Sequence, residues 1–440
     1  MHIESRAVRD LWPLGIMRER AGQAPPKVLV VRPDTYEQVS ELLRWAVAER
    51  VGVVPLGAAT GVCGAATPDQ GDLVVDLGGF DQLLEIDEHD LTCRVQAGML
   101  GLDLEQRLLD RGLTLGHYPS SLPVSTIGGL VVTRSSGQES SRWGSIEDMV
   151  LGLTVVLPDG TLAQPRPGPR SAVGPALHQL FVGSEGAFGI VLEVLLRVHR
   201  KPAAIVGGGW LFPDLHSGLD AAREILQRDL RPLVLRLYDA DDTAFQGVGE
   251  PGCLLVAAAA GEPGVAAAEA EVIASLCTGA KELGPSAFER WREHRFDLSA
   301  KRLLEFLEPA GSVVDTIEVA APWRVIEELH ARIKRELTEA AGLALCHFSH
   351  GYGQGCCAYF TFAGSGAGEE DAERRYLRAW EGAMNACLDL GATISHHHGV
   401  GRVRAPWARR ELDGWWPVWQ RLRDALDPSG VMNPRAGGGR

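Results

Sequence analysis

SSLPVSTIGGLVVTRSSGQESSRWGSIEDMVLGLTVV, residues 120–156, sets Gly128, Gly129 and Gly137 among the hydroxyl residues Ser125, Thr126, Thr133, Ser135 and Ser136, then runs into an apolar strand pattern. Side chains this small let backbone N–H groups approach a large ligand closely, and the hydroxyls supply uncharged hydrogen bonds to a phosphate or a polar ring edge. The apolar run Leu130, Val131 and Val132 inside these polar residues argues against a free linker. Two more glycine-rich segments flank the stretch, PLGAATGVCGAA at 55–66 and FVGSEGAFGIVLEVLLRV at 181–198, and each abuts a strand pattern. Three such loops imply one bulky anionic cofactor lying across the ends of one sheet system. Their spacing does not fit a single G-x-G-x-x-G fingerprint, which disfavours a Rossmann nicotinamide site.

The composition bounds the rest. With 440 residues, 45% hydrophobic and 23% charged, the chain is long enough for two or three packed domains. A formal charge of −14 argues against nucleic acid as a partner, so an anionic substrate needs local arginines. The eight cysteines contain no C-x-x-C pair and the start reads as no secretory leader, so a reduced, cytoplasmic setting is expected. No window approaches the roughly 20 apolar residues of a membrane span.

In chain order, a strand at 28–31 precedes a helix for which Asp34 and Glu37 form a capping box, with Val39, Leu42, Leu43, Ala46 and Val47 on one face. Strands are expected at 51–56, 73–77 and 91–97, a helix at 102–110, a strand at 150–157 and a turn at 158–161. Lys201-Pro202 reads as a boundary. Beyond it, strands at 205–211, 233–238, 254–259 and 358–362 mix with helices at 215–228, 265–276, 323–340 and 370–390, an α+β pattern with an antiparallel sheet. The expected domains are residues 1–200, 201–394, and a C-terminal segment, 395–440, returning to the first domain.

His396, His397 and His398 are the most unusual chemical feature. On an extended segment His396 and His398 share one face and His397 the other. Flanked by Gly399 and Gly401, the triplet reads as a general acid/base cluster; a polar turn with hydrogen-bonded imidazoles is the bland alternative. A metal reading would add His347 and His350 but has no nearby carboxylate or cysteine spacing, so no metal is expected. Arg236, in the apolar strand LVLRLYDA, must be paired, for instance with Asp239, or line a cavity. Tyr359, in CCAYFTF, is core by default. The basic run Arg290, Arg292, Arg295, Lys301 and Arg302 is a solvated helix face or a local anion site.

With these residues laid out, the chain resembles the flavoproteins of the vanillyl-alcohol-oxidase type and, within them, the alkylglycerone-phosphate synthases. The wider resemblance rests on PLGAATGVCGAA, STIGG and GSEGAFGIV; the narrower one on TRSSGQESSRWGSIEDMV at 133–150, LRLYD at 235–239, AAPW at 320–323, CHFSHGYGQGCCAYFTF at 346–362 and SHHHGVG at 395–401. It implies an α+β fold: a two-subdomain FAD-binding domain of the vanillyl-alcohol-oxidase (PCMH) type with an antiparallel-sheet α+β domain capping the substrate. It implies FAD held without a covalent bond. The cofactor-binding positions are Pro55, Gly57, Ala58, Ala59, Thr60, Gly61 and Val62; Ser120, Ser121, Ser125, Thr126, Gly128 and Gly129; Thr133, Ser135, Ser136 and Ile146; and Glu185, Gly186, Gly189 and Ile190. Arg236 matches the family's active-site arginine, Tyr359 its catalytic tyrosine and His396, His397 and His398 its histidine triplet, with Arg302 and His350 at the substrate. The implied reaction exchanges the acyl group of an acyl-dihydroxyacetone phosphate for a long-chain alcohol through a flavin N5 adduct. Such a lipid substrate has an anionic head group; a homodimer, in the cytoplasm or peripheral at a membrane surface, is the accompanying expectation. The chain departs from the family at Ala58 and Ala59, where glycines are usual, at Gly61, where serine is, at Ser120, where an acidic residue is, and around Arg302, whose tyrosine and aspartate neighbours are missing. Two rivals stay open: a redox flavoenzyme oxidising a 2-hydroxy acid such as D-lactate or glycolate, and a catalytically altered paralogue with an accessory role.

Overall fold

The computed structural model describes residues 1–166, 168–297 and 300–438. They form two compact units. The first takes residues up to Ser135, Ser145–Lys201 and the chain from His397 onward; the second takes Ser136–Gly144 and Pro202–His396.

In the first unit, strands β1 (His2–Ala7), β2 (Lys27–Arg32), β3 (Val53–Leu56) and β4 (Leu73–Asp76) form a sheet in the order β1-β2-β4-β3. β1 is antiparallel to β2, whereas β4 runs parallel to both β2 and β3. The helix Tyr36–Glu49 makes the crossover and buries Val39, Leu43 and Ala46. Its N-cap is Thr35, whose hydroxyl accepts from the Gln38 amide, rather than Asp34, whose own amide donates to the Gln38 side chain. The hydroxyl one residue later closes the turn that the Asp34 reading assigned to a carboxylate.

Strands β5 (Leu83–Asp87), β6 (Thr92–Gln96), β7 (Leu113–Thr114), β8 (Val150–Val156), β9 (Leu162–Ala163), β10 (Ile190–Arg197) and β11 (His199–Arg200) complete this unit. Five of them make an antiparallel sheet in the order β5-β6-β10-β8-β9, and β7 pairs with β11. A continuous core joins the two larger sheets through Val31, Leu43, Val53, Val75, Val156, Ile190 and Leu192. The C-terminal Val431 and Met432 lie in the same core, and Met432 bridges Val53. STIGG is not an open loop: residues Ile127–Val132 are helical, with Thr126 as N-cap accepting from the Gly129 amide. Gly128 serves close packing, because a Cβ there would lie 2.6 Å from the Ala97 Cβ.

The second unit is built on a seven-stranded, wholly antiparallel sheet. Its strands are β12 (Ala204–Phe212), β13 (Val234–Tyr238), β14 (Cys253–Gly261), β15 (Lys281–Gly284), β16 (Ser312–Pro322), β17 (Gly342–Tyr352) and β18 (Gly355–Ser365), in the order β15-β12-β14-β13-β17-β18-β16. The apolar stripe of the helix Trp323–Ala341, including Ile326, Leu329, Ile333 and Leu337, is buried. His330 on this helix lies against Phe348 and Phe360, while Tyr376 and Trp380 of the helix Glu369–Asp389 donate to the buried Asp315 of β16. These contacts mark one face of the sheet as helix-covered, and strand alternation sends the neighbouring side chains to the other face. No described helix is long and apolar enough to cross a membrane.

Candidate active site

The positions expected to hold the cofactor lie in the first unit, except Ser136, which begins the Ser136–Gly144 stretch of the second. The segment after β3 turns sharply, with Ala59 at φ +55°. A Cβ on Gly57 would meet the Thr126 hydroxyl at 2.3 Å, and Thr60 and Ser125 share a hydroxyl hydrogen bond of 2.8 Å, so the first two glycine segments are locked together. The third segment packs on the first, because a Cβ on Gly186 (φ +80°) would lie 2.9 Å from the Pro55 ring. Among the described residues, no backbone N–H of residues 57–62 donates to an acceptor in the chain. A cavity of about 680 Å³ opens beside this row of donors, lined by Gly57, Ala58, Ala59 and Thr126, by Arg6, Arg9, Arg32 and Arg107, and by Glu19, Asp76, Asp81 and Asp103, with Arg32 paired to Asp76 and Arg9 to Glu19. A row of unpaired backbone amides at the edge of one cavity suits an anionic diphosphate, so these residues fit the FAD that the sequence implies.

Other sequence-chosen cofactor positions have structural duties. Thr133 donates to the Gly129 carbonyl, and Ser135 is bonded at 2.7 Å to the fully buried His117, whose ring burial pushes down to about 3 and thereby holds neutral. Ile146 and Ile190 are core side chains, and Gly189 (φ +154°) lies too close to the Val156 carbonyl for any Cβ. Ser120 is exposed and Ser121 half-buried. The Glu185 carboxylate accepts from the amides of Val400, Gly401 and Gly437, which makes it an anchor for the C-terminal segment.

The second unit carries the reactive-looking side chains. Register places Tyr238 opposite His347, His347 opposite Tyr359 and Tyr359 opposite Glu318, so the four lie side by side on the face opposite the helices Trp323–Ala341 and Glu369–Asp389, with Arg236 two residues from Tyr238 on the same face and Phe288 and Trp291 of the helix Pro285–His294 packed in the same cluster as Tyr238. Arg236 Nη2 donates to His347 Nε2, and its guanidinium lies 5.5 Å from the Tyr238 ring centre. His347 stacks on Tyr359 at 4.9 Å, and its Nδ1 lies 3.5 Å from Asp242. Arg236 does not pair with Asp239, which instead accepts from His330 (3.0 Å) and Lys334 (2.6 Å). Burial, aided by the Arg236 charge, pushes His347 down to about 4, and burial pushes the Tyr359 phenol up to about 12. At neutral pH the imidazole is uncharged and the phenol is a hydrogen-bond donor.

His350 and His396 form a second cluster on this unit. His350, at φ +49°, bonds to the Ser140 hydroxyl at 2.8 Å and stacks on His396 at 5.2 Å. His396 Nε2 bonds to the Tyr352 hydroxyl, and its backbone N–H donates to the buried Glu318. The triplet runs through a bend rather than a strand, so the two-face alternation expected of an extended segment does not hold; His397 and His398 meet edge to face at 4.5 Å in the first unit. Arg302 is exposed on the helix Ala300–Leu307 and has no ion pair among the described residues, so the structure does not gather it with Arg236. Asp242, Glu318 and Tyr352 escaped the sequence reading; the signal available was the period-2 spacing around LRLYD and CHFSHGY.

Two family models match the chain. The FAD binding domain family model matches residues 28–164, and the model for the C-terminal domain of FAD linked oxidases matches residues 201–436. The alkyldihydroxyacetonephosphate synthase of Dictyostelium discoideum is 30% identical, covering 99% of this chain and 76% of that protein. An uncharacterized FAD-linked oxidoreductase of Escherichia coli (strain K12), YgcU, is 31% identical over 93% of this chain and 88% of that one, and a glycolate oxidase subunit of Bacillus subtilis (strain 168) is 29% identical over 92% and 87%. Among solved structures, an alkyldihydroxyacetonephosphate synthase superposes with a TM-score of 0.82 at 24% identity, covering 98% of this chain and 82% of that one. p-Cresol methylhydroxylase gives 0.76 at 16% identity, covering 94% and 89%. The chain belongs to the FAD-linked oxidase family, shares the fold of the alkyldihydroxyacetonephosphate synthases found among its relatives, and is an FAD-dependent enzyme.

Proposed function

We propose that this enzyme exchanges the acyl group of an acyl-dihydroxyacetone phosphate for a long-chain alcohol, with FAD held non-covalently. The observation that carries the reading is Arg236: a half-buried guanidinium in the second unit's sheet, flanked by a neutral His347 and a protonated Tyr359, with no carboxylate partner among the described residues. Such a site suits a phosphate monoester or the oxyanion of an adjacent ketone. Bound FAD supplies an electrophilic ring that accepts and returns an electron pair from the substrate carbon. The chain's own residues then have three tasks. Arg236 binds and orients the anionic end. Tyr359 donates a hydrogen bond to oxygen as negative charge develops there. A histidine of the 396–398 triplet takes the carbon-bound proton and returns it, a role for which imidazole is the common side chain. His350, joined to Ser140, holds the His396 ring by stacking.

The test is product formation. Purified protein mixed with palmitoyl-dihydroxyacetone phosphate and hexadecanol yields the ether ketone phosphate and free palmitate by mass spectrometry. Arg236→Met lowers kcat/KM by about 100-fold or more, and Tyr359→Phe by about 10–100-fold. No ether from the wild type, or ether formed equally well by Arg236→Met, contradicts the proposal. A second reading, oxidation of a 2-hydroxy acid, draws on the glycolate oxidase relative, and in it Arg236 takes the substrate carboxylate.

A further inference from the structure

We infer that His347, steadied by Asp242, is a positioning residue that fixes the Arg236 guanidinium so that its Nε edge is presented to the anionic group of the substrate. The inference rests on the reading of Arg236 as the anion ligand and deepens it. An arginine side chain has donors only, so Nη2 can bond to His347 Nε2 only if that nitrogen offers a lone pair. The ring must then be neutral and carry its proton on Nδ1, the nitrogen that faces Asp242 at 3.5 Å. The ring also has little freedom to turn, being stacked on Tyr359 at 4.9 Å and 15° and tilted against Tyr238 at 5.6 Å. Asp242 is itself held, because its amide caps onto Asp239 and its carboxylate accepts from Gln246.

The other sides of Arg236 follow from this. One face of the guanidinium lies over Tyr238, Nη2 is committed to His347, and Nε is buried with no acceptor among the described residues. A buried charged donor without an acceptor is costly, and the cost is recovered when a ligand oxygen arrives. The nearby carboxylates are turned away, Asp239 to His330 and Lys334 and Asp242 to His347, so neither neutralises the guanidinium or competes with an incoming anion. Lysine in place of Arg236 could not bond to His347 and a ligand oxygen in this planar arrangement.

The experiment is a phosphorus NMR titration of the FAD-loaded protein with inorganic phosphate, for the wild type, Arg236→Met, His347→Phe and His347→Gln. Phenylalanine keeps the stacking on Tyr359 but removes the acceptor, whereas the glutamine amide oxygen restores an acceptor. Expected are loss of phosphate binding in Arg236→Met, about tenfold weaker binding in His347→Phe, and affinity within about threefold of wild type in His347→Gln. Wild-type affinity in His347→Phe alongside loss in Arg236→Met overturns the inference and leaves the Arg236 reading standing. His347→Gln as weak as His347→Phe also overturns it, since ring packing alone would then explain the loss. Wild-type affinity in Arg236→Met, or no binding by the wild type, overturns the anion-site reading itself. Should His347→Phe fail to fold, Asp242→Asn carries the test: severalfold weaker binding supports the inference and unchanged binding overturns it.

Discussion

Ala59 shows how one residue can sit uneasily in a cofactor loop. Its φ of +55° is left-handed, which costs an L-residue about 1–2 kcal/mol and glycine essentially nothing. Ala59→Gly is therefore expected to raise the unfolding free energy by about 1 kcal/mol, part of the relief being offset by glycine's greater freedom in the unfolded chain; urea denaturation checks it. Two of the buried histidines give a second prediction. Burial is the first cause of the depressed values at both His117, down to about 3, and His347, down to about 4, from an ordinary 6.5. As pH falls below that ordinary value the unfolded chain takes up protons at both rings while the folded rings stay neutral, so the unfolded state binds more protons and stability falls with pH. The loss accumulates down to the folded values and reaches on the order of a few kcal/mol near pH 4. Replacing His117 with Asn should flatten this acid limb in a pH series of urea unfolding curves; an unchanged slope would show that His117 titrates normally in the fold.

Among the elements, the C-terminal segment depends on one carboxylate. Glu185, at φ +51° in the third glycine loop, takes the amides of Val400, Gly401 and Gly437, and its carbonyl accepts from Asn433. Glu185→Ala leaves those amides unpaired, costs roughly 3 kcal/mol, and should speed hydrogen exchange around residues 400–401 and 437 ahead of the rest of the unit. The same residue shows what sequence could and could not tell. Glycine clustering marked all three segments of the cofactor unit, because close backbone approach leaves small residues behind at 57, 128 and 186. It could not show that Gly128 lies in a helix pressed on Ala97, or that Glu185 faces the tail, since both depend on partners far away in the chain. Strands β16 and β17 were missed for a related reason. β16 buries Asp315 and Glu318 on opposite faces, each satisfied by donors from elsewhere, and two carboxylates in one strand break the apolar alternation by which strands are read. β17 carries His347, Ser349 and His350 for the same kind of reason, so the row Tyr238–His347–Tyr359–Glu318 emerged only from the strand register.

At the scale of the whole molecule, the chain crosses between its two units at residues 135–136, 144–145, 201–202 and 396–397. The stretch 120–156 and the histidine triplet each straddle such a crossing, which is why motifs read as single loops divide in the structure. The net charge of −14 makes Arg236 a local exception rather than part of a basic surface, so anion binding should depend on that residue and little on ionic strength at long range. The family gives FAD and an enzyme; the transferase reading adds that the cofactor ends each turnover in the oxidation state in which it began. The most direct measurement is the flavin absorbance spectrum under anaerobic conditions. It is recorded after addition of palmitoyl-dihydroxyacetone phosphate with hexadecanol, and separately after addition of D-lactate or glycolate, with products read by mass spectrometry. The account predicts ether product with no net bleaching of the flavin in the first mixture and an unchanged spectrum in the second. Bleaching by a hydroxy acid, with no ether formed from the lipid pair, would contradict it and make the protein a dehydrogenase or oxidase.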